Sequence, residues 1–258
     1  MSNETKSNQD FTAPPGHTWV STDDGSKTLF SEAFQEACHS TSGARAETVL
    51  HYLGGCKIKQ KAQTQNSLTI LEVGFGLGIG FELTREYLLE DECQLNFVSV
   101  EIDQKLVEWY QQNHPELPWK WNNNVLEAIT STFHLIILVG DARKTLPAFC
   151  EAQNFKWDAI YQDAFSPKRN PVLWTKEWFE LLKKYSSSEV ILSTYSSSVS
   201  IRKSLYETGW ILHSGEKFGK KRTSTRATLR GMSDPEILKS LELSPTQSLT
   251  DLNIQVQP

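Results

Sequence analysis

No run of about 20 apolar residues occurs in this chain, so a transmembrane helix is not expected. The first ten residues, Met1 to Asp10, are polar and lack the apolar segment of a secretory signal. Cysteine is sparse: Cys38, Cys56, Cys93 and Cys150 stand far apart and form no Cys-x-x-Cys pair. That scatter argues against a disulfide scaffold or a metal site, and for reduced thiols in a cytoplasmic protein. No internal repeat is present. Excess positive charge is missing too. A formal net charge of -5 argues mildly against generic nucleic-acid binding. Charge distribution matters more than the sum, however. Six basic residues and no acidic one fall between Lys217 and Arg230, a segment open to two readings, a solvated loop and strand or an anion-binding surface.

What is present suits one α/β domain with additions. Residues 1–16 are polar with a Pro14-Pro15 pair, and are expected to be a disordered tail. An N-terminal hairpin and helices are expected over 17–66. Trp19 to Thr22 and Thr28 to Phe30 flank the turn Asp23-Asp24-Gly25-Ser26. Helical patterns follow at about 31–39 and 44–54, the second ending at Gly54-Gly55. A core is expected over 67–232, where strands and helices alternate. Strands are expected at Leu68–Val73, Leu95–Glu101, His134–Val139, Trp157–Asp163, about 189–194, Trp210–His213 and about 225–230. Helices are expected at about 79–89, up to Asn113, 123–131, 142–152, 174–185 and 197–207, with an irregular stretch from His114 to Trp121. The remainder, 233–258, is a polar tail whose few leucines suit a short docked helix. Alternation of this kind implies a mostly parallel sheet covered by helices on both faces. Ligands of such sheets sit at the carboxyl ends of the strands.

Four features fall at those ends. The first is Glu72-Val73-Gly74-Phe75-Gly76-Leu77-Gly78, where glycines let a backbone approach a ligand closely. A dinucleotide site wants G-x-G-x-x-G, but the sixth position is Ile79 counted from Gly74 and Phe81 counted from Gly76. Alternating glycines behind an acidic residue instead resemble motif I of class I methyltransferases, and without a ligand they are simply a turn. Glu101 ends the second strand, where a carboxylate can accept both hydroxyls of a ribose. NAD enzymes use the same position. Asp141 follows the third strand and suits either the exocyclic amine of adenine or the N-cap of the next helix. Asp103 reads as an N-cap. Asp163, after the fourth strand, suits holding or deprotonating an acceptor amine. Phe165 suits stacking on a base. A local cap in a buried turn is the plainer role for Asp163. Together these point to a nucleoside cofactor, and the glycine spacing favours S-adenosylmethionine.

The run Asp163-Ala164-Phe165-Ser166-Pro167-x-x-Asn170-Pro171-x-x-Trp174-Thr175 resembles the signature of MnmC-type tRNA methyltransferases. Asp24-Gly25-Ser26-x-Thr28-Leu29-x-Ser31-Glu32, His39-Ser40, Gly43-Ala44 and Phe218-Gly219-Lys220-Lys221-Arg222 extend the likeness from about Thr18 to Arg230. The resemblance implies a class I, Rossmann-like fold and S-adenosylmethionine held by Glu72, Gly74, Phe75, Gly76, Gly78, Glu101 and Asp141. It implies Asp163 and Phe165 at the amine, and methylation of the 5-aminomethyl group on wobble (2-thio)uridine. It also implies tRNA as partner, its anticodon stem-loop tracked by Lys168, Arg169, Lys220, Lys221 and Arg222, with other enzymes supplying the amine. The chain departs from the pattern at Ile79-Gly80, where many members have a residue followed by Asn. It is also too short for the flavin-dependent oxidase domain of some members, so methylation alone is expected. Three other readings remain: an aminopropyltransferase of the same fold, a noncatalytic RNA-binding homologue and, more distantly, an NAD dehydrogenase. An acidic wall would suit the first, yet Pro167-Lys168-Arg169 stands there.

Overall fold

A computed structural model describes residues 12–217 and 223–254. The first strands, β1 (His17–Ser21), β2 (Lys27–Ser31) and β3 (Glu36–Ala37), form an antiparallel three-stranded sheet in that order. The turn between β1 and β2 lies where its sequence places it. Asp24 Oδ1 accepts from the Ser26 amide at 3.0 Å and the Thr22 hydroxyl at 2.6 Å, and Gly25 has φ 80°. The helix expected over 31–39 is absent. The chain turns after Ser31, passes Gln35 at φ 52°, and returns as β3 to pair Ala37 with Phe30. Pairing with the open edge of β2 overrides a local helical pattern this short.

Next come α1 (Ala44–Thr48), a π-helical turn over Val49–Gly54, and α2 (Ile58–Ala62). The chain then alternates through β4 (Ser67–Val73), α3 (Ile79–Tyr87), β5 (Gln94–Glu101) and α4 (Gln104–Asn113). A hairpin follows, β6 (Trp119–Asn122) and β7 (Val125–Ile129). It leads into β8 (Phe133–Val139), α5 (Ala142–Gln153) and β9 (Trp157–Gln162). After a 3-10 turn at Pro171–Leu173 come α6 (Lys176–Lys184), β10 (Ser186–Thr194) and α7 (Val199–Glu207). β11 (Ile211–Ser214), β12 (Thr225–Thr228) and α8 (Pro235–Leu243) complete the described elements.

The large sheet runs β11-β12-β10-β9-β4-β5-β8-β7-β6. Strands β10, β9, β4, β5 and β8 are mutually parallel, whereas β12 and β7 run antiparallel to their neighbours. The sheet is therefore mixed, with the β6–β7 hairpin at one edge. The helix expected over 123–131 is therefore a strand, and part of the stretch expected to be irregular is its partner. Leu126 and Ala128 are both buried and alternate with more exposed neighbours. That is a strand's period of two, and β8 offers the edge that completes it.

Both faces of the sheet are covered. Ile70 of β4 packs with Phe81, Phe97 and Tyr161 on one face, while its neighbour Leu71 packs with Trp157, Trp178 and Trp210 on the other. Alternate side chains of one strand thus enter two separate cores, which is why the central strands read as unbroken apolar runs. Past α8, which docks through Ile237 and Leu241, the chain is stitched back to the body. Leu249 O accepts from the Lys176 amide, and its own amide donates to Ser204 Oγ. From β4 the sheet extends through β5 and β8 to one side and through β9 and β10 to the other. The crevice at this reversal point, at the carboxyl ends of β4 and β9, is where such folds bind ligands.

Candidate cofactor and acceptor site

An open cleft with about 1030 Å³ of empty space lies at that crevice. Of the residues expected at the cofactor, Glu72, Gly74, Phe75, Gly76, Glu101 and Asp141 line it. Gly78 does not. It has φ 74° and sits behind the loop, where a Cβ would come within 2.5 Å of the Tyr110 ring. Its requirement for glycine is one of conformation and packing. Gly74 is confined too, since a Cβ there would lie 2.9 Å from the carbonyl oxygen of Asp163. Gly76 (φ 53°) differs, because the atoms nearest its Cβ position, on Cys38 and His39, lie 3.9 Å away. The loop is thus tightly packed beneath Gly74 and Gly78 and open over Gly76.

Glu101 ends β5 and is oriented by backbone donors. Its carboxylate accepts from the amides of Gly76 and Asp103, each at 3.0 Å. Burial raises its pKa, and those two amides oppose the rise. Asp141 serves as the N-cap its position implies, and it also borders the cleft. Its carboxylate caps α5 by accepting from the Arg143 amide at 3.0 Å, and it stands exposed at the cleft margin. Asp103 caps α4, as its position implies, by accepting from the amides of Lys105 and Leu106.

Glu72 is only 3% exposed and accepts from the Ser99 hydroxyl at 2.9 Å. Burial pushes its carboxyl well above the usual carboxylate range, and the charge of nearby Asp163 adds to the rise. Its surroundings account for Gly80. Any Cβ there would sit 1.8 Å from Glu72 Oε1, so the first turn of α3 closes over this carboxyl only with glycine at that position.

The acceptor side is built around Asp163. Its amide donates to Val73 O, which seats the end of β9 against β4. The Tyr52 hydroxyl donates to Asp163 Oδ1 at 2.5 Å. The following residues are held one by one. Tyr195 Oη donates to Ala164 O at 3.0 Å, and the Trp174 indole donates to Phe165 O at 2.8 Å. Glu36 accepts from both the amide and the hydroxyl of Ser166. Phe165 stacks on Phe34, with centroids 4.5 Å apart and ring planes 19° from parallel. Asp163 and Phe165 line the same cleft as the glycine loop. Lys168 and Arg169 lie outside its lining, exposed on the turn beyond Pro167. Lys220, Lys221 and Arg222 lie outside the described residues.

The N-terminal sheet contributes more than its sequence announces. His17, Ser31, Phe34, Cys38 and His39 all line the cleft. Desolvation lowers His39 to about 4, so its imidazole is neutral near pH 7, and burial raises the Cys38 thiol. Sequence reasoning missed these residues and Tyr52 alike. The one available signal was the likeness of 24–44 to the N-terminal part of a methyltransferase family, which gives no roles. Among the described residues, no cluster of three or more His, Cys, Asp or Glu is placed to hold a metal ion, and no helix is long and apolar enough to cross a membrane.

A glycine-rich loop open over Gly76, a carboxylate oriented at the end of β5 and another at the end of β8 fit a nucleoside bearing an amino acid, and the sheet order agrees. Fold and cleft together define a class I S-adenosylmethionine-dependent methyltransferase. A family profile described as S-adenosyl-L-methionine-dependent methyltransferase matches residues 104–230. The crystal structure of MNMC2 from Aquifex aeolicus superposes with a TM-score of 0.77 at 32% identity, covering 91% of this chain and 78% of that one. The tRNA 5-methylaminomethyl-2-thiouridine biosynthesis bifunctional protein MnmC of Ralstonia nicotianae is 33% identical over 221 residues, 78% of this chain and 33% of the relative. Its namesake in Leptospira interrogans is 30% identical over 221 residues, 76% of this chain and 33% of the relative. This chain belongs to the MnmC-type family of S-adenosylmethionine-dependent methyltransferases. It spans about a third of the length of these curated relatives. Its cofactor is S-adenosylmethionine.

Proposed function

We propose that the protein N-methylates the 5-aminomethyl group of wobble (2-thio)uridine in tRNA, giving the 5-methylaminomethyl form. The observation that carries this reading is the single cleft that joins the Gly74–Gly78 loop and Glu101 to the Asp163 carboxylate and the Phe165–Phe34 stack. The names of the relatives, which place them in 5-methylaminomethyl-2-thiouridine biosynthesis, support the same acceptor.

S-adenosylmethionine, when bound, supplies a methyl group on a positively charged sulfur. Glu101 would accept the ribose hydroxyls, Asp141 the adenine amine, and the loop from Gly74 to Gly76 would admit the amino-acid end. A neutral amine placed against Asp163 donates an N–H to the carboxylate, which turns its lone pair away from that bond. As the nitrogen becomes alkylated it turns positive, so a fixed carboxylate stabilises the transition state more than the neutral amine before it. Asp163 is then the acceptor for the surplus proton. Phe165, backed by Phe34, offers a flat apolar wall to the uracil ring.

Lys168 and Arg169, with Lys220, Lys221 and Arg222 later in the chain, would meet phosphates of the anticodon stem-loop, giving salt-dependent affinity. The setting is cytoplasmic, and separate tRNA-modifying enzymes supply the amine. Incubation with methyl-labelled S-adenosylmethionine and hypomodified tRNA tests the reading. Label on a tRNA wobble nucleoside is expected. Methyl label on a polyamine or another small amine instead would overturn the tRNA acceptor. Aminopropyl transfer to a polyamine from decarboxylated S-adenosylmethionine, with the methyl label left on methylthioadenosine, would favour the aminopropyltransferase-like reading of this fold, and tRNA binding without any transfer would favour a noncatalytic RNA-binding homologue.

A further inference from the structure

Tyr52 reaches Asp163 from 111 residues away in sequence, and the route by which it does so is built in detail. The helix begun by α1 widens into the π-helical turn Val49–Gly54, a feature that recurs at functional sites because it redirects a side chain. That turn is pinned to the sheet. Ser193 Oγ, on β10, donates to His51 O at 2.5 Å, and Cys56 Sγ lies 3.7 Å from Ile160 O and 3.3 Å from Ile191 O. Gly55 makes the approach possible, since a Cβ there would fall 1.8 Å from His51 O and 2.4 Å from Ser193 Oγ. The Tyr52 ring lies on Tyr161, with centroids 5.3 Å apart, and Tyr161 is in turn hydrogen-bonded to Thr84. A wide helical turn, a glycine and two anchors all converge on one 2.5 Å contact with the carboxylate.

We propose that Tyr52 is a positioning residue for methyl transfer, its hydroxyl fixing the Asp163 carboxylate in the orientation that lines the cleft and favouring its ionised form. A phenol that donates to a carboxylate stabilises the anion over the acid. Burial, with the charge of Asp163, raises the Tyr52 phenol well above its ordinary value, so it stays a donor at any physiological pH. The groups that interact electrostatically with this pair come from every side. They include Glu72 at the end of β4, Tyr195 beyond β10, Cys38 beyond β3 and Glu47 of α1.

The inference rests on the proposed role of Asp163, and the test keeps the two apart. The Asp163 carboxyl is titrated by NMR in protein with isotope-labelled aspartate, its resonance assigned by its loss in Asp163→Asn. In Tyr52→Phe the titration midpoint and the acid limb of kcat/KM are both expected to move to higher pH. Methyl transfer at neutral pH should fall roughly tenfold, in the range for a hydrogen bond to a charged group, with cofactor affinity unchanged. Ser193→Ala, which releases the anchor and keeps the phenol, should shift the same midpoint in the same direction by less. Identical midpoints and pH profiles in Tyr52→Phe and wild type would overturn the inference. So would parallel loss of melting temperature and cofactor affinity with no pH shift, the mark of mere packing. If Asp163→Asn transfers methyl groups as wild type does, the role of Asp163 itself is wrong. If Asp163→Asn is inactive and only the Tyr52 shifts are missing, the positioning role alone fails.

Discussion

The two halves of the cleft are held by different means. On the cofactor side the parts are local: glycines between β4 and α3, Glu101 oriented by the Gly76 and Asp103 amides, and Asp141 capping the helix it begins. On the acceptor side the parts are distant. Asp163, Ala164, Phe165 and Ser166 are bonded or stacked in order by Tyr52, Tyr195, Phe34 and Glu36, three of which belong to the first 52 residues. A turn followed by a helix supplies a cofactor cradle almost unaided, and that cradle serves many acceptors. Fixing the proposed acceptor, a base and its amine, takes braces from elsewhere. The N-terminal sheet and the π-helical turn are those braces.

The largest separation of the halves is expected from Asp163→Asn. It should lower methyl transfer by about 10²–10⁴-fold, the range for a positioned acid–base group, while calorimetry finds cofactor affinity unchanged. Glu101→Gln should do the reverse. Loss of the charged acceptor is expected to weaken cofactor binding by roughly 10–100-fold, with much of kcat restored at saturating cofactor. Equal damage to both functions by either variant would erase the distinction.

Smaller effects sharpen it. Reversing Lys168 and Arg169 to Glu should weaken tRNA binding and flatten its salt dependence, by about 0.7–0.9 in log–log slope for each phosphate no longer neutralised. Cofactor titrations should not change. Phe34→Ala should raise KM for tRNA by about 2–10-fold, as expected for loss of an aromatic pair worth about 0.5–1.5 kcal/mol, and leave kcat nearly intact.

Glu72 gives the smallest effect and a pH dependence. Its folded pKa is raised above the unfolded value, so folding favours the protonated acid. Stability is then fully present below the unfolded pKa and declines as pH rises from there towards the folded pKa. Glu72→Gln keeps an oxygen for Ser99 and removes that titration. Thermal melts should therefore show the variant more stable than wild type at pH 8, by about 2–4 °C for each kcal/mol gained, with the gap closing near pH 4. A gap independent of pH would show that Glu72 is not the titrating group.

The same asymmetry decided what could be read in advance. The glycine loop, Glu101, Asp141 and Asp163 were legible because each stands at or within two residues of the end of an apolar strand, and strand ends converge in this fold. Tyr52, Phe34 and His39 were not, because nothing near them in sequence marks the partner. Phe34 lies in a stretch whose pattern reads as a helix, and only pairing of Ala37 with Phe30 turns it towards the cleft. Val125–Ile129 misled for the same reason, a short strand whose state is set by its neighbours β8 and β6 rather than by its own five residues. Gly80, a departure from the family pattern, is accounted for only once the buried Glu72 carboxyl beside it is seen.

The amine is the centre of the account, and one comparison tests it directly. Two preparations of the same tRNA, one bearing 5-aminomethyl-(2-thio)uridine at the wobble position and one bearing unmodified uridine, are incubated with S-adenosylmethionine and digested to nucleosides. Conversion of the first to the 5-methylaminomethyl form, with no methylation of the second, is the expected result. Methylation of both at another base or ribose position, or of neither, would contradict it.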